Sequence, residues 1–175
     1  LRARFDNWLA GKVQEAIDAS EYAEESFIAT DIKVDQVLME GGRAVGIKTG
    51  DEEFHAQVVI IAEGVNNLLT RQVGLQTDYV PADHMLTGIK EIIRFDQQRL
   101  EDRFQLRGRS GMSNEFVGWA TDGVEGGGFL YTNKDTLSVG LVLSIADLRA
   151  QKKSPHDILS HFKSHPVVAD AIDGG

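Results

Sequence analysis

Residues 58–75 read Val-Val-Ile-Ile-Ala-Glu-Gly-Val-Asn-Asn-Leu-Leu-Thr-Arg-Gln-Val-Gly-Leu, and this stretch decides how the rest of the chain divides. Four consecutive branched apolar residues, 58–61, predict a strand buried on both faces, as in a parallel sheet. Ala62, Glu63 and Gly64 make a sharp exit. Asn66 or Asn67 then caps a short helix with Leu68, Leu69 and Val73 on its inner face and Gly74 at its stop. A strand that turns through glycine into a helix N-terminus commonly approaches a nucleotide, because free N–H groups and the helix dipole favour anions. Upstream of this unit the pattern suits part of a nucleotide-binding layer. Downstream it becomes antiparallel β.

Working back toward the start, Phe5, Trp8, Leu9, Val13, Ala16 and Ile17 recur at helical spacing and predict an amphipathic helix over about residues 3–18. Arg2 and Arg4 stand at its start, the wrong end for the helix dipole, so an arginine there is either a solvated charge or a phosphate ligand. Residues 19–26 are acidic and unpatterned, as in a loop. A three-stranded meander follows. Ile32, Val34 and Leu38 alternate with Lys33 and Asp35, Gly41-Gly42 turns the chain, residues 44–48 return, and residues 49–52 turn again into a strand over 53–61. That last strand alternates at Phe54, Ala56 and Val58 before becoming wholly apolar, so it is expected to begin at an edge and enter a core.

Toward the other end, Leu86, Ile89, Ile92 and Ile93 mark a strand interrupted by Lys90-Glu91, whose plain reading is a surface ion pair. Asp96 caps a helix reaching about Phe104. Residues 115–121, 126–132 and 136–143 are expected as three antiparallel strands, with Leu137, Val139, Leu141 and Leu143 forming one apolar face. Ser154, Pro155 and Asp157 signal a helix start, and Ile158, Leu159 and Phe162 supply its buried side. Pro166 opens a last helix carrying Val167, Val168, Ala171 and Ile172. The boundary between lobes is expected near residues 78–83, around Pro81, which gives units of residues 1–80 and 81–175.

Composition removes several classes of function. Among 175 residues, 27 acidic against 18 basic give a net charge of −9, which argues against a nucleic-acid phosphate binder. No apolar run approaches the ~20 residues of a membrane-spanning helix, so the expected location is cytoplasmic, with peripheral contact at an inner membrane face left open. With no cysteine the chain carries no disulfide, no thiolate-bound iron–sulfur cluster and no thiol nucleophile. It starts at Leu1 rather than methionine and is expected to be a central piece of a longer protein. There is no Gly-x-Ser-x-Gly elbow and no phosphate loop, so hydrolase and NTPase readings lack their chemical parts. His161 and His165 stand at metal-binding spacing on a helix, but Pro166 biases His165 away from helical geometry and no carboxylate completes a ligand set. A solvated face is the expectation there.

Residues 126–132, Gly-Gly-Gly-Phe-Leu-Tyr-Thr, are the other informative stretch. Three glycines opening a strand cost backbone entropy and pack nothing. They serve either a bulge or the close approach of something flat. Phe129 and Tyr131, two apart on one face, could line a pocket for an aromatic or prenyl group.

Taken in order, Leu1-Arg2-x-x-Phe5-Asp6-x-Trp8-Leu9, Ile61-Ala62-Glu63-Gly64, Gly88-Ile89-Lys90-Glu91, Gly127-x-Phe129-Leu130-Tyr131 and Phe162-Lys163-x-His165-Pro166 resemble the FixC-type flavoprotein dehydrogenases. These are relatives of the electron-transfer flavoprotein–quinone oxidoreductases, with geranylgeranyl reductases and aromatic hydroxylases as more distant kin. The resemblance implies an α+β chain from an α/β parent: part of a Rossmann-like FAD domain with a β-meander, then a mostly antiparallel substrate or quinone domain with flanking helices. It implies cofactor contacts from Arg2, Val34 and the turn Ala62, Glu63 and Gly64, and a quinone or substrate surface at Lys90, Gly126, Gly127, Phe129 and Tyr131. The implied partners are an electron-transfer flavoprotein, a ferredoxin-like protein and quinone. The Gly-x-Gly-x-x-Gly unit of the family is absent from these residues, so FAD is expected in the parent and not in this piece, which alone is an inert folded module. A geranylgeranyl-reductase-like activity is the alternative for the parent.

Overall fold

The computed structural model describes residues 2–76 and 79–175; Leu1 of the first motif and Asp78 at the expected boundary lie outside the described residues. The chain divides into two compact units, Leu1–Asp78 and Tyr79–Gly175. Each unit has its own antiparallel sheet, and the described residues form the expected α+β mixture.

In the first unit, helix α1 spans Arg2–Asp18 and buries none of its residues. A meander follows of β1 (Gln36–Glu40), β2 (Arg43–Thr49) and β3 (Glu52–His55), in the order β1-β2-β3. Gly41 and Gly42 turn the first hairpin with φ of 56° and 80°, a conformation that side chains with a Cβ resist. Asp35 ties the second turn: its carboxylate accepts from the Gly50 amide at 2.9 Å and pairs with the Lys33 ammonium at 2.6 Å. Helix α2 (Leu68–Gln72) closes the unit, and the Gln72 side chain accepts from the Val37 amide at 2.9 Å.

Two strand expectations fail in this unit. The strand expected to begin near Ile32 starts only at Gln36, and Ile32 is exposed. The strand expected over residues 53–61 stops at His55, and the apolar run after it joins no sheet, with Val58 74% and Ile60 87% exposed. A strand buried on both faces needs pairing strands and covering layers. The three described strands of this unit pair only with one another, so residues 58–61 have the composition of a central strand without the neighbours of one.

The second unit is built on β4 (Leu86–Arg94), β5 (Ser113–Phe116), β6 (Gly126–Thr132) and β7 (Thr136–Ser144), ordered β4-β7-β6-β5. Strand β7 is central, and Leu137, Val139, Leu141 and Leu143 on one face are fully buried, as the alternation predicts. The core they enter includes Leu100 of α3 (Gln97–Phe104), Ile158, Leu159 and Phe162 of α5 (Pro155–Lys163) and Val168 of α6 (Pro166–Ile172). Each such side chain contributes about 1.5–3 kcal/mol when fully buried. The capping residues anticipated at Asp96 and Ser154 accept from the amides of Arg99 (3.0 Å) and His156 (3.2 Å). The guanidinium groups of Arg99 and Arg103 donate to carbonyls of Gly174, Ala171 and Asp173, placing positive charge where the α6 dipole is negative.

Two further readings are corrected here. Instead of a strand over residues 115–121, β5 ends at Phe116 and a 3₁₀ turn occupies Gly118–Thr121, entered at Gly118 (φ 75°) and left at Asp122 (φ 50°), backbone that a strand cannot contain. Helix α4 (Ile145–Gln151) was not anticipated. Its signal is Ser144-x-x-Asp147, whose hydroxyl accepts from the Asp147 amide at 3.3 Å.

The glycine run has separate structural uses. Gly126 has φ 148° and its missing Cβ would strike the Val142 carbonyl. Gly128 lies under the Phe162 ring, where a Cβ would sit 2.8 Å from the ring carbon Cζ. Phe162 in turn meets Phe116 edge-on at 5.1 Å. Gly128→Ala should therefore destabilise the chain by about 1–3 kcal/mol, the usual cost of overpacking. Pairing it with Phe162→Leu should recover part of that loss in denaturant titrations.

Candidate functional site

In the first unit, three of the expected cofactor residues meet at one place. Val34, Ala62 and Glu63 line an open groove of about 420 Å³ with Val37, Ile47, residues 59–61, Leu68, Leu69 and Lys33. Its walls are apolar apart from Glu63 and Lys33. Arg2 is not among them; on α1 its guanidinium pairs with Asp6 at 2.7 Å in an i, i+4 surface bridge. Gly64, with φ 71°, opens the 3₁₀ turn Gly64–Asn66 beside the groove.

The helix start at this groove differs from the one read in the sequence. Neither Asn66 nor Asn67 caps α2; Asn67 is left-handed (φ 51°) and its side chain makes no capping bond. The cap is Glu63, whose carboxylate accepts from the amides of Leu69 (3.0 Å) and Thr70 (2.8 Å). The chain thus fills, with its own carboxylate, the place that a free helix N-terminus offers to an anion. Leu68, expected on the buried face of this helix, is exposed. Burial pushes the Glu63 carboxyl up, but hydrogen bonding from the Thr70 and Leu69 amides, with the Thr70 hydroxyl and the Leu68 amide, outweighs it and holds the group below the ordinary carboxylate value.

In the second unit the strand register brings together four of the five expected substrate residues. Opposed pairs run Lys90–Gly140–Phe129–Glu115 and Gly88–Val142–Gly127 across the sheet, so Lys90, Gly127, Phe129 and Tyr131 share the face opposite the core. Gly126, next along β6, lies on the core-side face by the same register. Lys90 and Glu91 do not form the expected surface pair. They point to opposite faces, and Glu91 pairs with Lys163 of α5 at 2.5 Å.

Phe129 and Tyr131 are stacked, with ring centroids 5.7 Å apart and planes inclined by 24°. They lie against Gly140 and Ser138 of β7: a Cβ at position 140 would overlap the Phe129 ring, the Ile89 carbonyl and the Lys90 side chain. Ser138 is 2% exposed and accepts from Asn133 Nδ2 at 3.2 Å. The Ser138 hydroxyl, opposite Tyr131 by register, holds the phenol below the ordinary tyrosine value; burial opposes this, and the neighbouring Lys90 charge adds to it. Ser138, Asn133 and Gly140 were not singled out in the sequence. Their signal is that Ser138 and Gly140 interrupt an otherwise branched-apolar strand on one face only.

The histidine pair takes no part in either place. His161 stacks on Trp119 with centroids at 3.8 Å and places Nε2 3.0 Å from the Trp119 carbonyl oxygen, while His165 meets the same ring at 4.9 Å. Both rings are half-buried against Trp119 rather than solvated, because the 3₁₀ turn carries that indole to them. Among the described residues no group of three His, Cys, Asp or Glu side chains could hold a metal ion.

Comparison with known proteins gives a consistent answer. The chain is 43% identical over 175 residues to the protein FixC of Salmonella typhimurium, matching 100% of this chain and 39% of that protein. It is 39% identical over 178 residues to the probable electron transfer flavoprotein-quinone oxidoreductase YdiS of Escherichia coli strain K12, with 100% and 39% covered. It is 35% identical over 177 residues to the FixC protein of Bradyrhizobium diazoefficiens, with 99% and 39% covered. The resemblance to FixC-type proteins therefore holds along the whole chain, which spans about two fifths of the length of the curated relatives it matches. No family model matches.

Because its folded-state acidity is increased, Glu63 stabilises the α2 start above the ordinary glutamate value of about 4.3, and this stabilisation fades as pH falls through the lower folded value. Glu63→Ala should speed hydrogen exchange at the Leu69 and Thr70 amides at neutral pH and remove most of the pH dependence of that exchange, after correction for its intrinsic part.

Proposed function

We propose that the protein of which this chain forms part is an FAD-dependent oxidoreductase of FixC type, which takes electrons from an electron-transfer flavoprotein and passes them to quinone or a ferredoxin-like partner. What supports the reading is the similarity along the whole chain to FixC proteins and to a relative named for electron-transfer flavoprotein and quinone. The observation that carries it is the open sheet face, where Lys90, Gly127, Phe129 and Tyr131 offer a flat aromatic floor with backbone approachable beside it. A planar acceptor lies against such a floor, with Gly127 admitting its edge to the backbone and Gly126 shaping the strand's entry. FAD supplies the redox chemistry when bound; the residues here supply orientation and exclusion of water.

The groove at Val34, Ala62 and Glu63 fits the planar, apolar parts of such a cofactor. It offers no free amide cluster for a pyrophosphate, since the Leu69 and Thr70 amides already bond to Glu63. The isolated chain is therefore proposed to be an inert module that does not retain FAD, whereas the whole protein binds it, in the cytoplasm or at the inner membrane face. A geranylgeranyl-reductase-like activity is the second reading, favoured by the same aromatic floor, which would also accept a prenyl chain.

Purified alone, the chain should lack flavin absorbance, and a stoichiometric yellow complex would contradict its inertness. The full-length protein should be yellow and reduced by an electron-transfer flavoprotein; reduction only of prenyl substrates would favour the second reading. Gly127→Leu in the full-length protein should lower quinone turnover by roughly 10-fold or more while leaving the flavin spectrum intact, as expected for lost positioning.

A further inference from the structure

In the stretch Gly88-Ile89-Lys90-Glu91 three residues already have a use. Ile89 packs against the core, Lys90 stands on the open face of the sheet, and Glu91 pairs with Lys163 at 2.5 Å. Gly88 has none. A glycine inside a strand loses more backbone freedom on folding than any other residue and packs nothing, so it marks a bulge, a bend or a place where something approaches the backbone.

The strands of the second unit hold five glycines, and the fold accounts for three of them. A Cβ at Gly126 would strike the Val142 carbonyl, one at Gly128 would sit 2.8 Å from the Phe162 ring, and one at Gly140 would lie 2.5 Å from the Ile89 carbonyl oxygen. Gly88 and Gly127 differ. Neither has a positive φ. A Cβ at Gly88 would make one ordinary contact, 3.8 Å from the Leu141 carbonyl oxygen. One at Gly127 would stand 3.2 Å from the Phe116 carbonyl oxygen, which a small shift of the neighbouring edge strand relieves.

The two glycines that the fold does not require are the two ends of one row. Gly88–Val142–Gly127 crosses β4, β7 and β6 on the face opposite the core. Val142 lies between them and is 37% exposed. The row is therefore a shallow trough, with bare backbone at each end and a valine floor at its middle. Leu86, 60% exposed, stands on one side of it, and Lys90 and Phe129 of the next row stand on the other. Two interstrand spacings make it about 9.5 Å long, room for one substituted planar ring.

We propose that Gly88 is a specificity-determining residue, which admits one edge of a planar, quinone-class ring to the β4 backbone while Gly127 admits the other and Val142 lies beneath. This rests on the function proposed above. A side chain at position 88 would fill one end of the trough without disturbing the strand, so its cost falls on ligand binding and not on folding. Another segment of the whole protein pressed against β4 would also call for glycine there, and the two occupants predict different losses.

In the isolated chain, Gly88→Ala and Gly88→Val should leave the denaturant midpoint unchanged or raise it; a clear fall would show that the fold itself needs the glycine and would overturn the proposal. In the full-length protein with a short-chain benzoquinone as acceptor, Gly88→Val should raise the quinone KM roughly 10-fold or more, the scale of one misplaced group in a packed pocket, and Gly88→Ala should raise it less. The flavin spectrum, thermal stability and rate of flavin reduction by dithionite should stay as they were. An unchanged KM would overturn the proposal, as would lost flavin or lost stability in Gly88→Val, which would assign the glycine to packing of another segment. A full-length parent protein that bound flavin but reduced no quinone would instead defeat the function on which the proposal rests, and the proposal with it.

Discussion

Strand β7 is buried on both sides, and each side governs a different property of the second unit. On one face, branched side chains from Leu137 to Leu143 enter the helical core. On the other, Ser138 and Gly140 are small enough for Phe129 and Tyr131 to lie against the strand. The first face supplies stability and the second supplies a surface. Both depend on register: a slip of one residue would put leucine under the aromatic pair and serine in the core. Long pairing with β4, from Leu86 to Arg94, holds that register along the strand.

In the first unit a single carboxylate has a comparable position. Glu63 satisfies two amides at the start of a helix too short to be stable by propensity alone, and in doing so occupies the place that an anion would take. The groove beside it is consequently apolar in character, suited to flat uncharged parts of a ligand. Three residues of the branched run, 59–61, form one of its walls, while Val58 lies outside it and is exposed.

How much of this was legible depends on how local the cause is. The α+β class, the glycine turn at Gly41-Gly42, the caps at Asp96 and Ser154 and the apolar face of β7 all follow from short-range patterns, and all are present. The whole-chain resemblance to FixC-type proteins was also readable, from motifs in order rather than from any single one. The failures share another cause. Residues 58–61 spell a central strand, yet composition cannot supply the neighbours that a central strand pairs with. The cap of α2 comes from Glu63, upstream of the asparagines that pattern favours, because the chain reverses through a left-handed Asn67. Ser138 and Gly140 matter only through the rings opposite them, which is a fact of register and not of sequence spacing. Likewise the stacking of His161 and His165 on Trp119 joins residues more than forty positions apart.

The central claim is that the open face of the four-stranded sheet receives the ligand. A photoreactive short-chain quinone analogue, applied to the full-length flavin-loaded protein and followed by peptide mapping, tests it most directly. Labelling should fall on Phe129, Tyr131 or the adjoining glycine backbone and be suppressed by excess quinone. Labelling that spared this strand and fell, with the same competition, on the groove at Val34 and Ala62 would contradict the account.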